Sequence, residues 1–311
     1  MKRIFIFPDT RRNAAGFTLV EMIVVIVITG IIGGMVAMFL RTPVQQYMDV
    51  ARRAEMTDIA DTALRRLSRD LRVALPNSVR VTTNGGTVFL EYLETIGGGR
   101  YNLGTLPVDC LNTGNCTRLT TLGNLVNGTA GAASLTMPNG NIIPATARVV
   151  LYNQYSNSGA DCSSQNPSVY CVADNGGAPL LGSVVNGVNV EEDQINFAAH
   201  TFLPAGGSPQ NRFLLISQPV TYACTPSGIL GGTLTRYRGY AMQAVQPTAL
   251  ATLSSVNAGA VLAGNIGTVC NFTYQNNVVS QRAGLVTVNL SITRDGETVT
   301  LYHATHVSNQ P

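Results

Sequence analysis

Residues 17–40, FTLVEMIVVIVITGIIGGMVAMFL, are 24 consecutive positions with one charged side chain, Glu21. Such a run has few options. As a helix it is about 36 Å long at 1.5 Å per residue, enough to cross the ~30 Å hydrocarbon layer of a membrane. It exceeds the roughly 7–15 apolar residues of a secretory signal. The small residues Ala14, Ala15 and Gly16 also precede the run, whereas a secretory cleavage site follows one. The leader, residues 1–16, carries Lys2, Arg3, Arg11 and Arg12 against Asp9, which keeps it cytoplasmic and sends the rest of the chain outward. Arg41, Arg52 and Arg53 on the far side weaken that bias without reversing it. Glu21 is the anomaly. A carboxylate in lipid costs several kcal/mol, reduced near the membrane edge, so it calls for a cation from elsewhere or for protonation.

The charge balance narrows the partners. The chain holds 20 basic and 17 acidic residues; four and one of these lie in the leader, leaving 16 against 16 in the rest. No basic stripe is left to track a phosphate backbone, so no nucleic-acid partner is expected.

Beyond the apolar run, residues 41–75 continue as an amphipathic helix. Val44, Tyr47, Ala51, Ala60, Ala63, Leu64, Leu67, Leu71 and Leu75 approximate helical spacing, with arginines and acids between them. Asp61 and Arg65 stand at i,i+4, and Pro76 stops the helix. From Phe17 to Leu75 it would be about 89 Å long. Pro43 is expected to kink it, and Gly30, Gly33 and Gly34 to weaken it. Gly30 and Gly34 also form a small-xxx-small pair suited to close helix contact.

The residues Gly16-Phe17-Thr18-Leu19-Val20-Glu21, after a basic leader and before the apolar run, resemble the type IV prepilin signature. The resemblance implies that a prepilin peptidase cuts between Gly16 and Phe17 and methylates the new amino terminus at Phe17. It implies that Glu21 then pairs with the Phe17 ammonium of a neighbouring subunit in the fibre. The other implied partners are major and minor pilins and the assembly platform of the inner membrane. The same family loosens its stem near the position of Gly30, Gly33 and Gly34, so local melting there is a further expectation. Type II secretion pseudopilins share this signature and stem, and are the alternative. An anchored periplasmic enzyme or binding protein is the alternative of another class.

Residues 76–311 read as β structure. SVRVTTNGGTVFLEYLE holds two strand-like runs around Asn84-Gly85-Gly86, and AGLVTVNLSITRDGETVTLYHATHV two more around Asp295-Gly296. DQINFAAH, RFLLISQPVTYAC, TLTRYRGYAM and VCNFTYQ are further predicted strands, and the Gly/Asn/Ser/Thr-rich stretches 97–147 and 156–190 are predicted loops. Six cysteines, an even number, suggest disulfides in an oxidising compartment. The simplest pairing is Cys110–Cys116, Cys162–Cys171 and Cys224–Cys270. No Cys-x-x-Cys pair supports zinc instead.

The expected class is α+β, a long helix packed on an antiparallel β-rich head with disulfide-tied loops. The RYN after the glycine run, RFLLISQPVTYAC…TLTRYRGY, and RAGLVTVNLSI…GETVTLYHATHVSNQP diffusely resemble O-type biogenesis proteins of the mannose-sensitive haemagglutinin pilus, which are large minor pilins. That implies a scarce subunit near a fibre tip. Retention of Glu21 implies at least one further subunit above it.

No enzymatic chemistry is expected. There is no Gly-x-Ser-x-Gly elbow or phosphate-binding loop. His303 and His306 are three apart on a strand and should face opposite ways, and His200 stands alone. Glu191-Glu192-Asp193 reads as a solvated acidic patch sooner than a calcium site. No cofactor and no metal are expected.

Overall fold

The computed structural model describes residues 16–106, 110–111, 116–125, 135–137, 142–155, 168–171, 179–186, 192–202, 207–228, 231–255, 257–276 and 283–310. The chain divides into two units, residues 1–54 and 55–311. The long helix α1, Leu19–Leu71, contributes to both.

In the first unit, α1 from Leu19 to Leu40 is apolar around its whole circumference but for Glu21 and Thr29. The large apolar residues from Phe17 to Val50 are exposed, and no residue of its most apolar window is buried. The helix runs without interruption through Pro43, which removes one amide donor but supplies a φ that a helix accepts.

In the second unit the same helix is amphipathic. Met56, Ala60, Ala63, Leu64, Leu67 and Leu71 recur every three or four residues and are buried. α1 ends at Leu71, four residues before the predicted Leu75. There the backbone switches partner: Thr95 donates its amide to the Val73 carbonyl, and Leu75 donates to Leu93, each at 2.8 Å. Pro76 favours this switch, because the residue before a proline is pushed out of helical geometry.

The sheet strands follow as β1 (Arg80–Asn84), β2 (Thr87–Arg100), β3 (Cys116–Thr120), β4 (Leu135–Thr136), β5 (Ile142–Ile143), β6 (Arg148–Val150), β7 (Leu181–Asn186), β8 (Asp193–His200), β9 (Arg212–Thr225), β10 (Gly232–Arg238), β11 (Ala260–Gln275), β12 (Ala283–Arg294) and β13 (Glu297–Ser308). The main sheet has the order β1-β2-β9-β10-β11-β12-β13, with β6 added beside β9, and every pairing is antiparallel. Smaller sheets join β3-β8-β7 and β4-β5. A short helix α2 (Leu250–Leu253) precedes β11.

Both predicted hairpins form. Asn84 pairs with Thr87 across Gly85-Gly86, and Arg294 with Glu297 across Asp295-Gly296. All four loop residues have positive φ, the geometry that matches a two-residue loop to the twist of its strands. The stretches predicted as loops are partly strand. β2 runs through Gly97, Gly98 and Gly99 to Arg100, and β3, β4, β5 and β7 also lie there. Glycine weakens a strand pattern in sequence, but here it permits close approach: a Cβ on Gly98 would meet the Phe213 carbonyl at 2.5 Å. β11 begins nine residues before the predicted VCNFTYQ, in a Gly-containing stretch with weak alternation.

The main core lies between α1 and the sheet. Leu64, Leu67 and Leu71 pack with Leu90, Tyr222, Leu234, Phe272, Val288 and Leu290 of the strands. A second core under the smaller sheets gathers Tyr101, Leu119, Val149, Ile195, Phe197 and Phe213. β13 keeps twelve consecutive pairs with β12 without a register shift. No strand pairs with its outer edge among the described residues.

Candidate functional site

Gly16, Phe17 and Thr18 precede the first turn of α1, and Gly16 and Phe17 are exposed. The Thr18 carbonyl accepts the Met22 amide at 3.2 Å, and its hydroxyl accepts the Glu21 amide at 3.3 Å. Thr18 is therefore the N-cap, and Glu21, three residues on, occupies the acidic position that complements a helix N-terminus. This cap is legible as Thr-x-x-Glu before an apolar run, a spacing that the prepilin-like reading of the same residues eclipsed. The Glu21 carboxylate is exposed and has no side-chain partner among the described residues.

The Gly16–Phe17 peptide thus precedes the helix and is exposed. Gly30, Gly33 and Gly34 lie on the same exposed helix, and a Cβ at any of them would meet nothing within 4 Å. Their small size leaves room on the helix surface that no part of this unit fills. Pro43 lies further along the same helix.

In the head, the described cysteines are all in disulfides: Cys110 with Cys116, Cys224 with Cys270, and Cys171 also bonded. Cys162 lies outside the described residues. Cys224 of β9 and Cys270 of β11 are joined with their Cα atoms 6.2 Å apart.

Three titratable clusters have structural geometry. Arg80 and Glu91 are buried together; the Arg80 Nε donates to Glu91 Oε1 at 2.8 Å, and Tyr240 donates to Oε2 at 2.8 Å. The guanidinium also donates to the carbonyls of Gln243 and Ala244 and lies 3.7 Å from the Tyr170 ring centre. Burial pushes the Glu91 carboxyl upward, opposed by the Arg80 charge and the Tyr240 and Thr221 hydroxyls. With every charged atom matched, this cluster fastens the segment after β10 to the sheet. No sequence periodicity marked it.

The second cluster ties the last turn of α1 to the sheet. Asp70 Oδ2 accepts from Arg236 Nε and from the Tyr222 hydroxyl, each at 2.7 Å. In the third, Ser68 of α1 contacts His303 Nε2 at 2.9 Å. His303 faces α1 while His306 is exposed, so the two histidines take opposite sides, as their spacing requires.

The acidic triplet departs from the solvated patch expected. Asp193 is buried, and its Oδ2 accepts the Leu125 amide at 2.6 Å, so this acid closes a loop. Glu191 lies outside the described residues. Among the described residues, no group of three or more His, Cys, Asp or Glu side chains is arranged to hold a metal.

The helix start and its apolar run are exposed. Residues 11–37 match the prokaryotic N-terminal methylation motif. The matched stretch contains the whole Gly16–Glu21 signature, so the N-terminal segment is prepilin-like. This places the chain in the general context of prepilin peptidase processing, membrane anchoring through α1 and pilin-type assembly. No curated protein and no solved structure matches the chain.

Proposed function

We propose that this chain is a minor pilin of a type IV pilus similar to the mannose-sensitive haemagglutinin pilus, acting in assembly initiation or at the tip. The observation that carries the reading is the methylation motif over residues 11–37, laid on an exposed apolar helix. Prepilin peptidase cuts between Gly16 and Phe17, and Phe17 becomes the N-methylated first residue. The leader is cytoplasmic, α1 is held in the inner membrane, and the head is periplasmic until the subunit enters the fibre.

Glu21 then finds its cation in the Phe17 ammonium of a neighbouring subunit. Inside a helix bundle of low dielectric such a pair is strong, and a lone carboxylate is costly. Cleavage creates one half of the pair, which couples processing to assembly. Gly30 and Gly34 admit a close neighbour to the same helix. The large head, residues 76–311, supports a scarce subunit sooner than one repeated along a fibre, and the surface it presents is open to attachment.

N-terminal mass spectrometry of the mature protein tests the reading. Methyl-Phe17 is expected, and an N-terminus at Met1 or elsewhere would overturn it. Glu21→Ala should leave cleavage intact while reducing recovery in sheared pili; normal recovery would contradict the pairing.

A further inference from the structure

The buried stripe of α1 in the second unit, from Met56 to Leu71, leaves an outward arc that the head does not use. Three arginines, Arg65, Arg66 and Arg69, occupy the end of that arc, and Arg72 follows in the turn after α1; all four are exposed. At about 100° per residue the three helical arginines span roughly 100°, centred opposite the buried stripe. Arg65 is held by Asp61 at 2.5 Å. Arg66, Arg69 and Arg72 have no ionic partner among the described residues.

Stability of the subunit does not account for this arrangement. One basic side chain near the last turn suffices to complement the helix dipole. Arg65–Arg69 and Arg66–Arg69 stand at i,i+4 and i,i+3, where like charges repel and destabilise a helix. The acids of the same arc lie a few turns earlier. Glu55 is already bonded to Arg294 at 3.0 Å, and Asp58 has no partner among the described residues. The outward face is thus sorted by sign along its length.

We infer that the Arg66–Arg69–Arg72 face is a docking surface for carboxylates on the helix of a neighbouring pilin-type subunit. The inference rests on the proposed function and specifies a partner contact for it. Charge complementarity sets the geometry. Asp58 and Arg69 are eleven residues apart, so a parallel helix of like design, displaced by about 16 Å along its axis, would bring its acid against this arginine. A contact that joins the acidic stretch of one subunit to the basic stretch of the next is head-to-tail and leaves both ends open, as a filament requires. Arginine suits the role because its planar fork grips a carboxylate with two donors.

The test uses the full-length chain in cells that assemble fibres. The variant Arg66→Glu/Arg69→Glu/Arg72→Glu is compared with a triple Lys variant. Methyl-Phe17 reports processing, and the Cys224–Cys270 disulfide with protease resistance reports a folded head. With both intact, recovery of the Glu variant in sheared fibres should fall by about tenfold or more, because like charges then face each other across the contact. The Lys variant should recover most of the wild-type level. A photo-crosslinking residue at position 69 should capture a peptide of another pilin-type subunit that contains Asp or Glu. Wild-type recovery of the Glu variant, or capture of lipid alone, would overturn the inference while leaving the processing result untouched. An unprocessed Phe17 in the wild-type chain would overturn the fibre reading, and this contact with it.

Discussion

Residues 19–54 and 55–71 belong to one helix, yet they are built for different surroundings. The first stretch shows apolar side chains on every face and buries none of its most apolar window; the second buries one stripe and charges the rest. A helix that is apolar all round has its solvent or its partner outside the chain, whereas an amphipathic one has found its partner within it. The two glutamates repeat the lesson. Glu91 is buried with a guanidinium and two hydroxyls around it, while the Glu21 carboxylate has no side-chain partner among the described residues. A carboxylate satisfied at home stabilises the fold. One left unsatisfied in an apolar stretch is available to a neighbour.

The contrast can be broken most sharply at the carboxylates. Glu91→Gln should destabilise the head by about 3–5 kcal/mol, because it strands the buried Arg80 charge. Glu21→Gln should leave the unfolding midpoint of the head unchanged. Urea unfolding of the detergent-solubilised protein reads both, and equal effects would end the distinction.

The apolar side chains offer a second comparison, in the range of about 2–5 kcal/mol. Leu67→Ala opens a cavity in the main core, while Val27→Ala shortens an exposed side chain. A loss of head stability from Val27→Ala would show that the two stretches are not independent. Replacing Cys224 and Cys270 together by Ala should cost about 2–4 kcal/mol, since the bond closes a long loop. Denaturation with and without reductant checks it.

The last effect is confined to alkaline pH. Burial raises the phenols of Tyr92, Tyr170, Tyr222 and Tyr240 above their ordinary value of 10.0. The folded head then keeps protons that the unfolded chain releases. The contribution of these phenols should be constant below about pH 10, and stability should decline above it by up to about 1.4 kcal/mol per tyrosine for each further pH unit. Stability that rises above pH 10 would contradict this burial.

Much of this architecture was legible because it rests on local chemistry. The 24-residue apolar run, the Gly16–Glu21 signature and the Asn-Gly-Gly and Asp-Gly loops act through neighbours in sequence. Less was legible where distant groups decide. Gly97–Gly99 read as loop residues because their strand depends on the approach of Phe213, more than a hundred residues later. The end of α1 moved to Leu71 because Val73 and Leu75 found strand partners in Thr95 and Leu93. Asp193 seemed one member of a solvated triplet until Leu125 supplied an amide. Thr18 was a different case, visible in sequence as a cap but read only as part of a longer signature.

β13 carries a consequence for the isolated subunit. Its twelve residues, Glu297–Ser308, contain no lysine and no proline, and its register with β12 has no bulge to twist the edge away. These are the usual safeguards against edge-to-edge aggregation. Purified heads at high concentration should therefore be prone to stack through this strand, and a lysine in place of the exposed Tyr302 is a simple means of keeping them soluble.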